Sequence, residues 1–487
     1  MQRRFEVFDL KEIVKELAGI VGQKFVTIEP EMMQKYAIDG TAPKIVLFPG
    51  NTREVAEVVR VAYRQKLAVV PWGSGSKMSQ GNRPERLDLV LGTSRMNHMR
   101  DVDTSNLTIT VEAGVRFRDI QARLATEEDR CYLPLEDLTT EADDFVCSDR
   151  SNSGCFLPID PCCSDMATIG GVIATSSAGP RRLLYTLPRD MIIGVKMVTP
   201  KGDIAGAGGK TVKNVSGYDT SKLMVGSMGS LGIICEMTFK LLPLPEKMQT
   251  VLVSFDSFAG AADLADRILG TTLLPAAVTV LNAAAFHKLQ NAACSGFRPG
   301  NFVVATAIES YHKAAARMAT EIRDMAEDLK ATDMMTLQDN AHPRFWLAVS
   351  NLDSQLAGEF PGLIQAKLNY PISHWRDIFA SMQKSLLYHR LEHAVVAHAG
   401  SGICQVYLML DQNNNSSADK AVVVAGELLE RSLEAGGNMV IQRAPAPMKG
   451  RLKIWGRTGT DFILYKRLKD QLDPAGIMSP GRFVGNL

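Results

Sequence analysis

The sequence predicts an α+β protein of two or three domains, and three features carry that expectation. The segment IVLFPGNTREVAEVVRVAYRQKLAVVPWGSGSKMSQG (45–81) reads as strand, helix, strand and then a glycine-rich loop. Further along, MIIGVKMVTPKGDIAGAGG (191–209) reads as a hairpin, two strands joined by a Pro-Lys-Gly-Asp turn. After LLPLPE (241–246) the rhythm changes, and strand-like runs alternate with long Ala/Met/Leu-rich helices. A chain of 487 residues is long enough to bury a separate core on either side of that shift.

The elements follow in order. IVLF precedes a Pro-Gly turn, and Asn51 stands three residues before Glu54, the arrangement of a capping box. Val55, Val58, Val59 and Ala62 keep the helical period, so a helix starts there. LAVVP (67–71) is a buried-looking strand running straight into Gly73-Ser74-Gly75-Ser76. LDLVL (87–91) and LTITVEAGV (107–115) read as strands, followed by a helical stretch to about residue 128. A loop-rich section around 134–165 leads to ATIGGVIATSSAGP (167–180) and then to the hairpin. Beyond 246, HKAAARMATEIRDMAEDLK (312–330) is a helix whose methionines serve as core filler. NNNSS (413–417) is a polar turn between the strand ICQVYLML and the helix ADKAVVVAGELLERSLEAGG.

The end of the hairpin, GGKT (208–211), imitates the close of a nucleotide phosphate loop. Such a loop needs a glycine five residues before its Gly-Lys pair, and here that position is Ile204. A β-branched residue does not readily take the backbone angles required there. These glycines are therefore read as the end of a strand.

Bulk properties exclude several classes. With 54 basic and 53 acidic residues the net charge is +1, which implies neither nucleic acid nor an anionic membrane as partner. No apolar run approaches the roughly 20 residues that span a bilayer. The opening MQRRFEVFDLKEIVKEL mixes charges throughout, unlike a secretory signal. The expectation is a soluble cytoplasmic chain, peripheral to the inner membrane only through partners. The 8 cysteines are then expected as thiols, not disulfides. Four fall in CSDRSNSGCFLPIDPCC (147–163), which has neither a C-x-x-C pair nor ferredoxin-type spacing. Adjacent Cys162 and Cys163 read as redox-sensitive loop thiols.

Two glycine-rich stretches ask for a ligand. In PWGSGSKMSQG (71–81), small residues after a buried strand let successive N–H groups converge on an anion. In ATIGGVIATSSAGP, Gly170 and Gly171 allow close backbone approach while Thr168, Thr175 and Ser177 offer hydroxyls. Together they suggest one long ligand with phosphates in its middle. No G-x-G-x-x-G follows a strand, which argues against a nicotinamide site.

At this point the sequence resembles the FAD-linked oxidases that include vanillyl-alcohol oxidase, D-lactate dehydrogenase and glycolate oxidase. The matching stretches are DGTAPKIVLFPGNTREVAEVVRVA (39–62), PWGSGSKMSQG, LPIDPCCSDMATIGGVIATSSAGP (157–180), NVSGYDTSKLMVGSMGSLGIICEMTFKLLPLP (214–245) and LDPAGIMSPGRF (472–483). GPRR (179–182), RDMIIG (189–194), KNVSGYDTSKLMVGS and QRAP (442–445) most resemble the smaller flavin subunit of the bacterial glycolate oxidase complex. The resemblance implies a two-subdomain PCMH-type FAD-binding domain plus an α+β cap domain whose antiparallel sheet covers the flavin ring. The expected divisions are an N-terminal helical segment (1–40), the FAD domain (41–246), the cap (247–455) and a C-terminal segment returning to the FAD domain (456–487).

Carried over by position, Pro71, Gly73, Ser74, Gly75 and Ser76 would hold the FAD pyrophosphate. Pro161, Thr168, Gly170, Gly171, Thr175 and Ser177 would line the second FAD loop. Ile233 would offer backbone contact near the adenosine or ring, and Arg482 in SPGR would return to the flavin. The first loop has no histidine, so the resemblance implies noncovalent FAD.

The departures bear on chemistry. Relatives carry H-x-G-D-G-N-x-H in the cap, whose two histidines support a divalent metal. HAGSGICQ (398–405) keeps His398 but has Ser401, Ile403 and Gln405 at the other positions. No metal is expected, because one imidazole without partners is a poor site. Met228 replaces the glutamate of G-S-E-G. His398 is the remaining candidate base for a 2-hydroxy acid, with Arg344, Trp346 and Lys367 as candidate substrate contacts. The expected activity is oxidation of glycolate or D-lactate, within a complex containing a homologous flavin subunit and an iron–sulfur subunit that takes the electrons. The alternative is a non-catalytic FAD relay or scaffold in such a complex. An independent oxidase reacting with oxygen is a third reading.

Overall fold

The computed structural model describes residues 10–126, 131–133, 154–210, 219–289, 294–411 and 415–487. Cys147, most of the cysteine-bearing segment 136–163, Thr211, residues 214–218 and the start of the NNNSS turn lie outside the described residues.

The first layer forms as its sequence period dictates. Asn51 caps the helix Thr52–Gln65 by accepting from the N–H groups of Arg53 and Glu54, both at 3.0 Å. Glu54 returns the bond by accepting from the Gly50 N–H at 2.7 Å. The helix buries Val55, Val58, Val59 and Ala62 and stops at Lys66, whose φ of 54° is left-handed. It crosses over between two strands that both pair in parallel with Leu89–Gly92, namely Ile45–Leu47 and Val69–Trp72. Val26–Thr27 completes this four-stranded sheet at the edge.

A second sheet has five strands in the order Met99–Asp103, Thr108–Glu112, Ile233–Lys240, Ile192–Val198, Ile204–Gly208. Every pairing in it is antiparallel, and the last two strands are the expected hairpin. Gly202, at φ 86°, makes its turn. Lys210, the residue that imitated a phosphate-loop lysine, forms an exposed ion pair with Asp101 at 2.8 Å.

The chain end folds back on this half. The Val69 N–H donates to the Ile477 carbonyl at 2.7 Å, and the Ser479 N–H donates to the Val69 carbonyl at 2.9 Å. The buried Lys469 ammonium donates to Asp473 at 2.6 Å and to the carbonyls of Ser230 and Met478 at 2.8 Å.

The remaining half is an eight-stranded antiparallel sheet. Its spatial order is Asp333–Gln338, Lys247–Phe255, Phe302–Ser310, Ala277–Asn282, His393–His398, Ile403–Leu408, Ile364–Asn369, Asn438–Arg443. Side chains alternate between the two faces. Ile364, Ala366, Leu368, Val395, Ala397, Cys404, Val406, Met439 and Ile441 share one core with the helices Phe258–Leu269, His312–Asp328, Trp375–His389 and Asn415–Glu434. The opposite face packs on Ala341–Glu359 along part of its width and faces the first half of the chain along the rest.

A buried charged cluster ties the halves together. Arg181 donates to Glu309 at 3.4 Å and stacks 3.8 Å over the Tyr132 ring. Tyr185 donates to the other Glu309 oxygen at 2.7 Å, and His342 Nε2 lies 3.2 Å from Glu309. Asp160 accepts from the N–H groups of Gly179 and Arg181 at 2.7 and 2.9 Å. Burial raises the carboxyl of Glu309, but Arg181, His342 and Tyr185 outweigh it and hold the group down at about 2.

Candidate functional site

Both glycine-rich stretches converge on one groove between the two sheets of the first half. Strand Val69–Trp72 delivers the chain to Gly73, where a Cβ would overlap the Thr168 hydroxyl. Gly75, at φ 83°, lies where a Cβ would come within 2.7 Å of the Trp72 ring. The second stretch is not an open loop, because Ile169–Ala174 is a short helix capped by Thr168, whose hydroxyl faces the Gly171 N–H at 3.4 Å. Gly170 presses on Ala113, with only 2.7 Å available between the two Cβ positions. Gly171 lines the groove, with room for a Cβ 3.2 Å from Thr168 Oγ1.

This geometry fits FAD on two counts. The N–H groups of Ser74, Gly75, Ser76 and Lys77 make no hydrogen bond with the described residues, so the loop offers donors to a pyrophosphate. Arg482, buried to 3% exposure beside the groove, donates to the carbonyls of Met78 at 2.9 Å and Gln80 at 2.7 Å, while its Nε finds no partner among the described residues. Burial lowers this guanidinium to about 10.

Pro71, Gly73, Ser74, Gly75, Ser76, Thr168, Gly170, Gly171, Thr175, Ser177 and Arg482 all line the groove. Two expected residues do not. Ile233 points into the core beneath the sheet, because strand alternation gives the groove its neighbours Gly232 and Ile234 instead. Pro161 is buried outside the groove lining, and Cys162 takes that place. Sequence reasoning passed over Thr93 and Ala113, and it singled out Met228 only as a replaced glutamate, not as a groove residue. Met228 adopts a left-handed φ of 55° between Gly226 and Gly229, both also left-handed.

The groove opens into a cavity of about 620 Å³ against the uncovered part of the cap sheet. Lys77, Cys162, Thr175, Ser177 and Met228 line both spaces. Alternation aims Gln365, Lys367 and Asn369 from one strand, Val396 and His398 from the next, then Gln405 with Tyr407, and Gln442, into this cavity. Arg182 reaches it from the FAD half, anchored on the Gly179 carbonyl at 2.9 Å.

Lys77, Arg182 and Lys367 line the cavity together with Asp160 and Asp353. Burial, then Arg182 and Lys77, lower Lys367 to about 7. Burial, then Arg182 and Lys367, lower His398 to about 3, so its imidazole is neutral. His398 Nδ1 lies 3.1 Å from Thr279 Oγ1. Lys77 pairs with buried Asp353 at 3.3 Å.

Arg344 and Trp346 are not part of it. Arg344 is exposed on the helix Ala341–Glu359, and Trp346 is fully buried with its indole donating to Thr250 at 2.8 Å. The same helix reaches the cavity one and two turns later, through Val349, Ser350 and Asp353. Gln405 and His398 do not assemble a ligand set; among the described residues the grouping able to hold a metal is Cys162, Cys163 and Asp353. The polar alternation of IQAKLN was the signal that could have found Gln365 beside Lys367, whereas Lys77, Arg182 and Asp353 come from distant segments.

Comparison with known proteins agrees with this geometry. Residues 43–136 and 149–208 match the family model described as FAD binding domain, and 244–483 match FAD linked oxidases, C-terminal domain. Glycolate oxidase subunit GlcD of Bacillus subtilis (strain 168) is 27% identical over 97% of this chain and 96% of its own length. D-2-hydroxyglutarate dehydrogenase of Xanthomonas citri pv. viticola is 26% identical over 93% of each chain. The crystal structure of p-cresol methylhydroxylase with substrate bound superposes with a TM-score of 0.73 at 16% identity, covering 98% of this chain and 97% of that one, which is a likeness of fold.

Proposed function

The chain belongs to the FAD-linked oxidases, with FAD as its cofactor, and from that premise we propose that it oxidises a small 2-hydroxy acid such as glycolate or D-lactate. The observation that carries this reading is the set Arg182, Lys367 and His398, gathered on the cavity side of the flavin groove. When bound, FAD accepts the hydride equivalent removed from the substrate carbon.

The chain's own residues supply the rest. Lys367, protonated, holds the substrate carboxylate, and Arg182 adds a second positive charge. In the tautomer whose Nδ1–H donates to Thr279 Oγ1, His398 Nε2 is the acceptor for the hydroxyl proton. A bound carboxylate offsets the two cations that hold His398 down, so substrate binding itself strengthens this base. The cap sheet excludes water from above the groove. Noncovalent FAD fits a first loop that contains no histidine.

Electrons then leave to an iron–sulfur subunit, with a homologous flavin subunit in the same complex. This is supported by the word subunit in the name of the GlcD relative and by the lack of cluster-type cysteine spacing in this sequence. The test is the visible spectrum of the purified chain, recorded anaerobically before and after glycolate or D-lactate. Bleaching of the flavin band is the expected result. A flavin band unmoved by either acid sinks this substrate assignment and favours the relay reading.

A further inference from the structure

Cys162 and Cys163 stand at the seam between groove and cavity, and the chemistry above uses neither. Cys162 lines both spaces. The sulfurs of both residues and a carboxylate oxygen of Asp353 all lie within 4.8 Å of one another. Lys77 brings its ammonium 3.3 Å from Asp353, and Cys162 Sγ lies 3.9 Å from the Ser177 hydroxyl. Cys163 is fixed from the other side. Its N–H donates to Asn351 at 2.6 Å, its sulfur lies 2.8 Å from the Ser354 hydroxyl, and its φ is 54°.

A thiolate is stabilised by an adjacent cation and by a neighbouring thiol, and Cys162 has the Lys77 charge and the Cys163 sulfur within 4.8 Å. The Cys163 hydrogen bond and Lys77 hold Cys162 below the ordinary thiol range, while the same pairing pushes Cys163 up. The other described thiols lie elsewhere in the fold. Cys131, Cys155, Cys235, Cys294 and Cys404 are buried in the cores, and burial raises Cys235 to about 12. A soft metal is less well served by the cluster, since the Lys77 ammonium already occupies the Asp353 carboxylate.

We propose that Cys162 is a peroxide-reactive thiolate and that Cys163 resolves it as a vicinal disulfide. The Cys162 thiolate attacks one oxygen of hydrogen peroxide; the O–O bond breaks, hydroxide leaves and a sulfenic acid forms. The Cys163 thiol then attacks the Cys162 sulfur; the S–S bond forms, the S–O bond breaks, and water departs with the thiol proton. Two thiols are oxidised by two electrons and one peroxide is reduced. The product removes the thiolate charge beside Lys77 at the mouth of the flavin groove and leaves Asp353 as its partner, so the device couples oxidant level to the state of the site.

The test uses the full-length, fully reduced protein. Brief iodoacetamide treatment at pH 7 followed by peptide mass mapping is expected to label Cys162 roughly tenfold or more faster than the five core thiols. Lys77→Met should erase that lead and Lys77→Arg should keep it. Peroxide should leave the Cys162–Cys163 peptide lighter by two hydrogen atoms, reversibly by dithiothreitol, and Cys163→Ser should instead trap a dimedone adduct on Cys162. Equal labelling across the thiols, or a peroxide-treated peptide that keeps both hydrogens, overturns the proposal. Both decisive measurements are made on the unmutated chain, so they stand even where a variant does not fold.

Discussion

Lys367 sets the pH behaviour expected of the site. Its ammonium is held near 7, against an ordinary value of 10.5, by burial and by Arg182 and Lys77. Substrate carboxylate binding should weaken as pH rises through about 7, and KM measured across pH 6 to 9 should rise while Lys367→Met abolishes the trend. That variant should also lose about 10- to 100-fold in kcat/KM, the cost of one charge-assisted hydrogen bond. The stability sign is opposite to that of a salt-bridged lysine. Between about 7 and 10.5 the unfolded chain holds the proton that the folded chain has lost, so this group adds stability as pH rises across that window. Neighbouring glycines separate two roles in the same way. Gly170→Ala forces its Cβ against Ala113 and should lower the melting temperature. Gly171→Leu projects into the groove and should abolish flavin retention while leaving the melting transition of the apo chain in place. Flavin absorbance per chain and a thermal melt distinguish them.

Elements show why some features were legible and others hidden. The helix Thr52–Gln65 was readable because its cap, its period and its end all lie within one short segment. Helix Ala341–Glu359 misled. Its tryptophan and arginine have the chemistry of substrate contacts, but facing is decided by where the helix lies on the sheet, which no local pattern records. The short helix inside ATIGGVIATSSAGP was hidden because paired glycines lower helix propensity, and the Thr168 cap with packing on Ala113 overrides that. Arg181 and Tyr185 stand at the two ends of one short helix, Glu309 on a strand and His342 on another helix, and they form a cluster only once the halves dock. Glu309→Leu leaves the buried Arg181 guanidinium with Asp160, 3.7 Å away, as its remaining carboxylate, and chemical denaturation should register a loss of about 3 kcal/mol.

Across the whole molecule, the glycine stretches and the order of the motifs carried the fold and most of the groove, because backbone approach to a ligand restricts residue type locally. The cavity was less legible, since its charges are assembled across hundreds of residues of chain. The same long-range closure gives a prediction for the C-terminus. Ending the chain at residue 472 removes Asp473, the partner of buried Lys469, along with the Ile477–Ser479 pairing to Val69 and the whole of Arg482. Such a chain should purify without flavin and melt earlier than the full one, and a truncated chain that keeps a full flavin complement would contradict this closure.

The pairing of Val69 with Ile477 and Ser479 also fixes a timetable. A ribosome emits the glycine loop long before the segment that seals it. The first half therefore waits, with its edge unsealed, through translation of the entire cap. Flavin capture that needs the sealed edge thus follows synthesis of the cap and of the segment beyond it.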